Sequence, residues 1–179
     1  MMQFFDEAGL IDESNKEIIA FGLNRLFDMI ISWFFAILCA GLMGDFFVGI
    51  LFEINYMLLR SFTGGYHTRN KKNCLILTYL STFICIVLIF FVPVNILVMN
   101  IMVPLFDVII FYYAPIQSNN KPLNLIEKKI YHRNSVFVAI VGTTLYFFFS
   151  WIGLNLYSET IFISMMMIII GMLIGLWTV

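Results

Sequence analysis

Long apolar runs constrain this chain more than any other feature of it. Six of them fill the sequence, at about 27–43, 46–59, 74–92, 94–113, 135–156 and 160–177, where a membrane crossing needs roughly 20 apolar residues. Backbone polar groups in hydrocarbon must find partners within their own segment, so the runs predict helices. A β-barrel would need alternating polarity, which is absent. The expected fold class is therefore all-α: a polytopic membrane helical bundle of about six apolar segments, forming one integral membrane domain over 1–179. The second run, 46–59, is short and carries Glu53, so it reads either as a tilted span or as a re-entrant segment. Short loops at 44–45, 93–94 and 157–159 pair the runs into hairpins. Only 12% of residues are charged, against about 25% in soluble domains, which agrees.

Where the charges sit says more than their sum. The net charge of −1 carries no nucleic-acid signal, and no nucleic acid is expected as a partner. With six crossings and both ends inside, the inner segments are 1–26, 60–73, 114–134 and 178–179. They hold Lys16, Arg25, Arg60, Arg69, Lys71, Lys72, Lys121, Lys128, Lys129 and Arg133, which is every basic residue of the chain. The outer loops hold none, so the positive-inside rule predicts that 60–73 and 114–134 are cytoplasmic loops. If the second run is re-entrant, the N-terminus moves outside and the 60–73 loop stays inside. The acidic start of the chain lacks the pattern of a signal peptide. Ser14 and Glu17 fit a capping box, predicting a helix from near residue 15. The 1–26 region then reads as the cytoplasmic or interfacial entry to the first span.

Chemistry is concentrated in Arg60-Ser-Phe-Thr-Gly-Gly-Tyr-His-Thr-Arg-Asn-Lys-Lys-Asn-Cys74, which holds one of two histidines and one of three cysteines. Asn73 is a favourable N-cap and would place Cys74 in the first turn of the third span. A helix N-terminus and nearby cations favour a thiolate, and Arg69, Lys71 and Lys72 are close in sequence. His67 can act as the base or, protonated, steady the thiolate. Seven residues of straight helix span about 10.5 Å, so the pair needs a folded-back loop. Gly64, Gly65, Thr68, Asn70 and Asn73 suit such turns. The plainer reading is a solvated histidine and an inert membrane cysteine, and residue types alone favour that reading. Cys39 and Cys85 lie inside spans and read as packing residues. His132, beside Arg133, reads as surface charge. Two distant histidines and no clustered ligands give no metal site, and the cysteine spacing gives no disulfide framework. Glu53 and Asp107 are intramembrane acids. Glu53 lies seven residues before Arg60 on the same helix, so a structural ion pair is expected; either acid is otherwise a candidate third member beside His67. Pro104 is expected to kink the fourth run. Lys71, Lys72, Lys128, Lys129 and Arg133 read as topology determinants that can also attract acidic parts of a substrate.

The pattern Arg60-x4-Gly65-x-His67-x6-Cys74, with Gly64 beside it, resembles the AgrB family of membrane cysteine endopeptidases. Tyr113-Ala114-Pro115 followed by Lys121-Pro122 resembles the family's second loop, and size and hydropathy match over nearly the whole chain. The resemblance implies Cys74 as nucleophile and His67 as its base, with Arg60, Gly64 and Gly65 in supporting positions. It implies cleavage of a short AgrD-like quorum-sensing propeptide near its C-terminus. The acyl part stays on the enzyme as a thioester, which an internal thiol or hydroxyl of the substrate attacks, releasing a cyclic thiolactone or lactone. The partners would be that propeptide, the lipid bilayer and, in one arrangement, a second copy as a homodimer; no cofactor is implied. The rival reading is a non-catalytic peptide exporter or receptor subunit built on the same bundle.

Overall fold

Helices of membrane-crossing length account for most of the chain. The computed structural model describes residues 16–65, 71–117 and 123–178. Six helices follow in order: α1 Lys16–Met43, α2 Phe46–Thr63, α3 Lys71–Phe91, α4 Ile96–Tyr113, α5 Leu125–Trp151 and α6 Asn155–Thr178. Each is long and apolar enough to cross a membrane. No β-strand occurs among the described residues; a lone bridge pairs Gly64 with Ile116. The bundle expected from the apolar runs is therefore observed.

Boundaries differ from the apolar runs where polar residues are used inside the bundle. The second run continues as unbroken helix to Thr63, giving 18 residues and about 27 Å. It thus reaches from one pole of the bundle to the other and does not turn back. The last turn lies at 152–154 rather than 157–159, because Ser158 and Glu159 are buried residues of α6. Glu159 accepts the Val94 backbone N–H at 2.9 Å, pinning the α3–α4 turn. Asp45 caps α2 by accepting from Phe47 N at 2.9 Å and also accepts the Tyr157 hydroxyl at 2.9 Å. The acids at this pole are therefore spent on tying turns together. α5 begins at Leu125, so Lys128, Lys129 and Arg133 stand on helix instead of loop. Asn124 and Glu127 form its capping box, each side chain satisfying the other's backbone N–H. α4 runs through Pro104 without ending. Ser14 lies outside the described residues.

α6 is the axis on which the other helices assemble. Over half of its apolar stretch is buried (56%), against 39% for α2 and no more than 22% for the rest. It packs on α2, α3, α4 and α5, while α2 also holds α1 and α5. Tyr146, Phe52, Leu59, Ile161, Met165 and Met172 lie fully within this core. At Gly49 the backbones of α1 and α2 nearly touch: a Cβ there would sit 2.6 Å from the Ala36 carbonyl oxygen. Small residues at such crossings let helices gain dispersion contact that lipid cannot supply.

Polar side chains in the core bridge helix to helix. Asn55 Nδ2 donates to Ser164 Oγ at 2.6 Å, joining α2 to α6. Ser32 Oγ donates to Glu53 Oε1 at 3.0 Å, joining α1 to α2. Thr143 Oγ1 donates to Asp107 Oδ2 and the Tyr146 hydroxyl to Asn100 Oδ1, both at 2.8 Å, joining α5 to α4. The expected Glu53–Arg60 pair does not form. Side chains on a helix lean toward its N-terminus, and Arg60 instead folds onto the C-terminal end of its own helix. The Asn55–Ser164 bond generates a test. A double-mutant cycle of Asn55→Ala and Ser164→Ala, followed by reversible detergent unfolding, should give a coupling of about 0.6–2 kcal/mol. A coupling near zero would show that this bond does not hold α2 to α6.

Candidate functional site

Arg60 stands in the last turn of α2, where the helix leaves its final carbonyls without partners. Its guanidinium donates to the carbonyl of Gly64, the residue that caps the helix. A cation there also meets the negative end of the helix dipole. The two glycines that follow are needed for this closure. Gly64 (φ 71°) and Gly65 (φ 122°) occupy backbone conformations that side chains disfavour. A Cβ on Gly65 would overlap Arg60 Nη1 and lie 3.1 Å from the Gly171 carbonyl oxygen on α6. A Cβ on Gly64 would overlap the Ile116 carbonyl oxygen. The Gly-Gly pair is thus where α2, α6 and the 114–117 segment meet with no room between them.

That segment is held from both sides. Ile116 N donates to Thr63 O at 2.9 Å, and Gly64 and Ile116 form the lone parallel bridge. On the other side the His132 Nδ1–H donates to the Ala114 carbonyl at 2.8 Å, and the His132 ring lies against Phe111. His132 is therefore a half-buried tie between α5 and the end of α4, not the surface charge expected from its neighbours. Phe62 of α2 meets Tyr131 of α5 with ring centroids 6.1 Å apart.

Cys74 emerges at the same pole. α3 begins at Lys71, three residues earlier than an Asn73 cap would give, so Asn73 is already helical and Cys74 completes the first turn. Cys74 is half-buried, and its carbonyl accepts the Thr78 hydroxyl at 2.9 Å. It forms no disulfide, nor do Cys39 and Cys85. Both of those pack into the hydrophobic core, Cys85 with 7% exposure. Lys71 and Lys72 occupy the first turn ahead of Cys74. His67, Arg69, Thr68, Asn70 and the Lys121-Pro122 pair lie outside the described residues.

Tyr56 belongs to this neighbourhood although the sequence reading passed over it. Its hydroxyl lies within the electrostatic reach of Arg60, Glu53, Cys74 and Cys85. The signal was present: Tyr56 precedes Arg60 by four residues and so shares its helix face. Its ring stacks on Phe52 at 5.9 Å, which fixes the direction of the hydroxyl. The candidate third acids stand elsewhere. Glu53 is fully buried and bonded to Ser32, and Asp107 sits on the α4–α5 seam bonded to Thr143. Lys128, Lys129 and Arg133 are on α5, which packs on α2, α4 and α6, whereas α3 packs on α1 and α6. Among the described residues no three His, Cys, Asp or Glu side chains form a metal-binding group.

Comparison with known proteins bears on the whole bundle. Residues 1–175 match the family described as accessory gene regulator B. An AgrB-like protein of Clostridium perfringens strain SM101 is 26% identical over 156 residues, covering 78% of this chain and 72% of the relative. AgrB-like protein 1 of Clostridium perfringens strain 13 is 30% identical over 122 residues, covering 65% of each. No solved structure matches the chain. The chain belongs to the accessory gene regulator B family and is a multi-pass membrane protein.

The glycine pair can be tested without any substrate. Gly65→Ala should destabilise the purified protein by about 1–3 kcal/mol, the cost of a strained backbone position, and its crowding of Arg60 adds to this. Gly171→Ala is the control, because a Cβ there would lie an ordinary 3.6 Å from Arg60 Nη1. Thermal melting in detergent should separate the two. Equal melting temperatures would refute the proposed close packing of Arg60 beneath Gly65.

Proposed function

We propose that this member of the family is a membrane cysteine endopeptidase that matures a short quorum-sensing propeptide, with Cys74 as nucleophile and His67 as its proton carrier. The observation that supports this most is the placing of Cys74. It stands half-buried on the first turn of α3, at the pole where Arg60, Gly64 and Gly65 close the end of α2. His67 belongs to the 66–70 stretch between Gly65 and α3. The thiolate is the attacking form of a cysteine, and Cys74 stands in the first turn of α3, behind Lys71 and Lys72. Cys39 and Cys85, set in the apolar core, have no such surroundings.

The chemistry follows from that assignment. Cys74 Sγ attacks the carbonyl carbon of the scissile peptide bond, and the C–N bond breaks as His67 delivers a proton to the departing amine. The N-terminal part of the substrate remains as a thioester. An internal thiol or hydroxyl then attacks the same carbon, forming the ring ester or thioester and returning the Cys74 thiolate. Ring closure outruns hydrolysis because the internal nucleophile acts at high effective molarity. Lys71 and Lys72, close before Cys74 in the sequence, are on this reading the cations that draw an acidic part of the propeptide toward it.

The site faces the cytoplasm on this reading. The described cations lie toward the site pole: Lys16 and Arg25 in the N-terminal part of α1, Arg60 at the end of α2, Lys71 and Lys72 at the start of α3, and Lys128, Lys129 and Arg133 in the first turns of α5. The turns at 44–45, 92–95 and 152–154 of the other pole contain neither lysine nor arginine. Positive residues are retained on the cytoplasmic side during insertion.

Co-expression with the candidate propeptide tests the assignment. Cys74→Ala should abolish both cleavage and the covalent acyl-enzyme seen by mass spectrometry. His67→Ala should slow thioester formation by on the order of 10²–10⁴, the usual cost of losing a general base. Replacing Cys39 and Cys85 together by Ala should leave most activity. A well-folded double variant without activity, alongside a Cys74→Ala protein that still cleaves, would put the nucleophile elsewhere. Transport of the peptide that survives Cys74→Ala unchanged would favour an exporter. Single cysteines placed in the 66–70 and 118–122 stretches should resist impermeant labelling of intact cells, and labelling of either from outside would reverse the topology.

A further inference from the structure

We propose that the groove between the end of α4 and the start of α5 binds an anionic membrane phospholipid, with its phosphate on Lys129 and Arg133 and an acyl chain on Phe111, Ile130 and Val136. The groove encloses about 680 Å³, a volume typical of small-molecule sites. Its walls are mainly apolar, and its cations stand along one side of α5.

Helix length sets its depth in the membrane. α5 has 27 residues and so extends about 40 Å, against a hydrocarbon thickness of about 30 Å. Its far end is tied by the 152–154 turn among apolar residues, so the excess falls at the Leu125 end. The first two turns then lie at the level of the lipid headgroups. Leu125 (84% exposed) and Ile126 (70% exposed) present apolar surface there. Lys129 and Arg133, four residues apart, share one helix face and both line the groove.

The cations of this face are uncompensated. Glu127, the acid nearest in sequence, is occupied by the Asn124 backbone N–H at 2.9 Å. Among the described residues no carboxylate pairs with Lys129 or Arg133. An apolar trough that opens to lipid and carries two unpaired cations at headgroup height matches a phosphate with an attached chain. Basic pockets between membrane helices recognise anionic headgroups by this chemistry. A propeptide segment offers carboxylates as well, but the groove opens on the lipid-facing flank of α5, and α3, which bears Cys74, packs on α1 and α6. The groove also touches the catalytic pole. His132 lines it and holds Ala114, two residues before the Ile116 that bridges Gly64.

The test uses the full chain purified in detergent, titrated with phosphatidylglycerol or phosphatidylcholine and read by native mass spectrometry. The parental protein should retain phosphatidylglycerol with about tenfold or greater preference. Lys129→Gln combined with Arg133→Gln should remove the preference, and Val136→Trp should lower retention of both lipids by filling the trough. Thermal melting in phosphatidylcholine accompanies each variant, and single Lys129→Gln and Arg133→Gln proteins replace the double variant if it fails to fold. Equal retention of the two lipids by the parental protein would overturn the proposal. So would an undiminished preference in the charge variants. Charge variants that keep the preference but bind the propeptide more weakly would make the groove a peptide site instead.

Discussion

Hydrocarbon offers no hydrogen bonds, and several of the polar side chains that this bundle carries into its core are bonded from helix to helix. Ser32 with Glu53, Asn55 with Ser164, and Thr143 with Asp107 each join two helices that could otherwise slide past one another. Apolar packing alone distinguishes poorly between registers in lipid, because a methyl group contacts lipid almost as well as protein. The polar ties choose one register. That choice carries Arg60 to the height of Gly171 and brings Thr63 level with Ile116.

The two poles use charge in opposite ways. At the turn-rich pole, Asp45 and Glu159 are consumed in tying α2, α6 and the α3–α4 turn. At the other pole, Arg60 is tied into structure, while Lys71 and Lys72 begin α3 and Lys128, Lys129 and Arg133 lie in the first turns of α5. One pole is fastened by carboxylates, and the other gathers the cations. The segment carrying His67 follows an arginine that is built into the fold.

Much of this was legible in the residues, for a physical reason. A span needs so many apolar residues that six of them leave a signal no other fold class produces, and all six helices appear where the runs lie. Cys74, Arg60, Gly64 and Gly65 were recognisable because reactive and flexible residues stand out against an apolar background. The boundary at 157–159 was misplaced because Ser158 and Glu159 look like loop residues, yet in the bundle they are bonded within α6 or to its neighbour's turn. Glu53 and Arg60 looked paired because spacing gives the helix face but not the direction in which a side chain reaches. His132 and Tyr56 were missed or misread because their partners, Ala114 and the Arg60–Cys74 neighbourhood, are distant along the chain or across a helix seam. No periodicity reports a contact of that kind.

The centrality of α6 has a consequence for biosynthesis. Ribosomes deliver the chain from its N-terminus, so the helix on which α2, α3, α4 and α5 all pack arrives after those four. Until it inserts, Asn55 has no Ser164 and the Arg60–Gly65 closure has no Gly171 behind it. Cys74 is translated well before α6, the helix on which α3 packs. Assembly of the pole that carries Cys74 therefore waits for α6, and a nascent chain holds Cys74 before the bundle has packed around it.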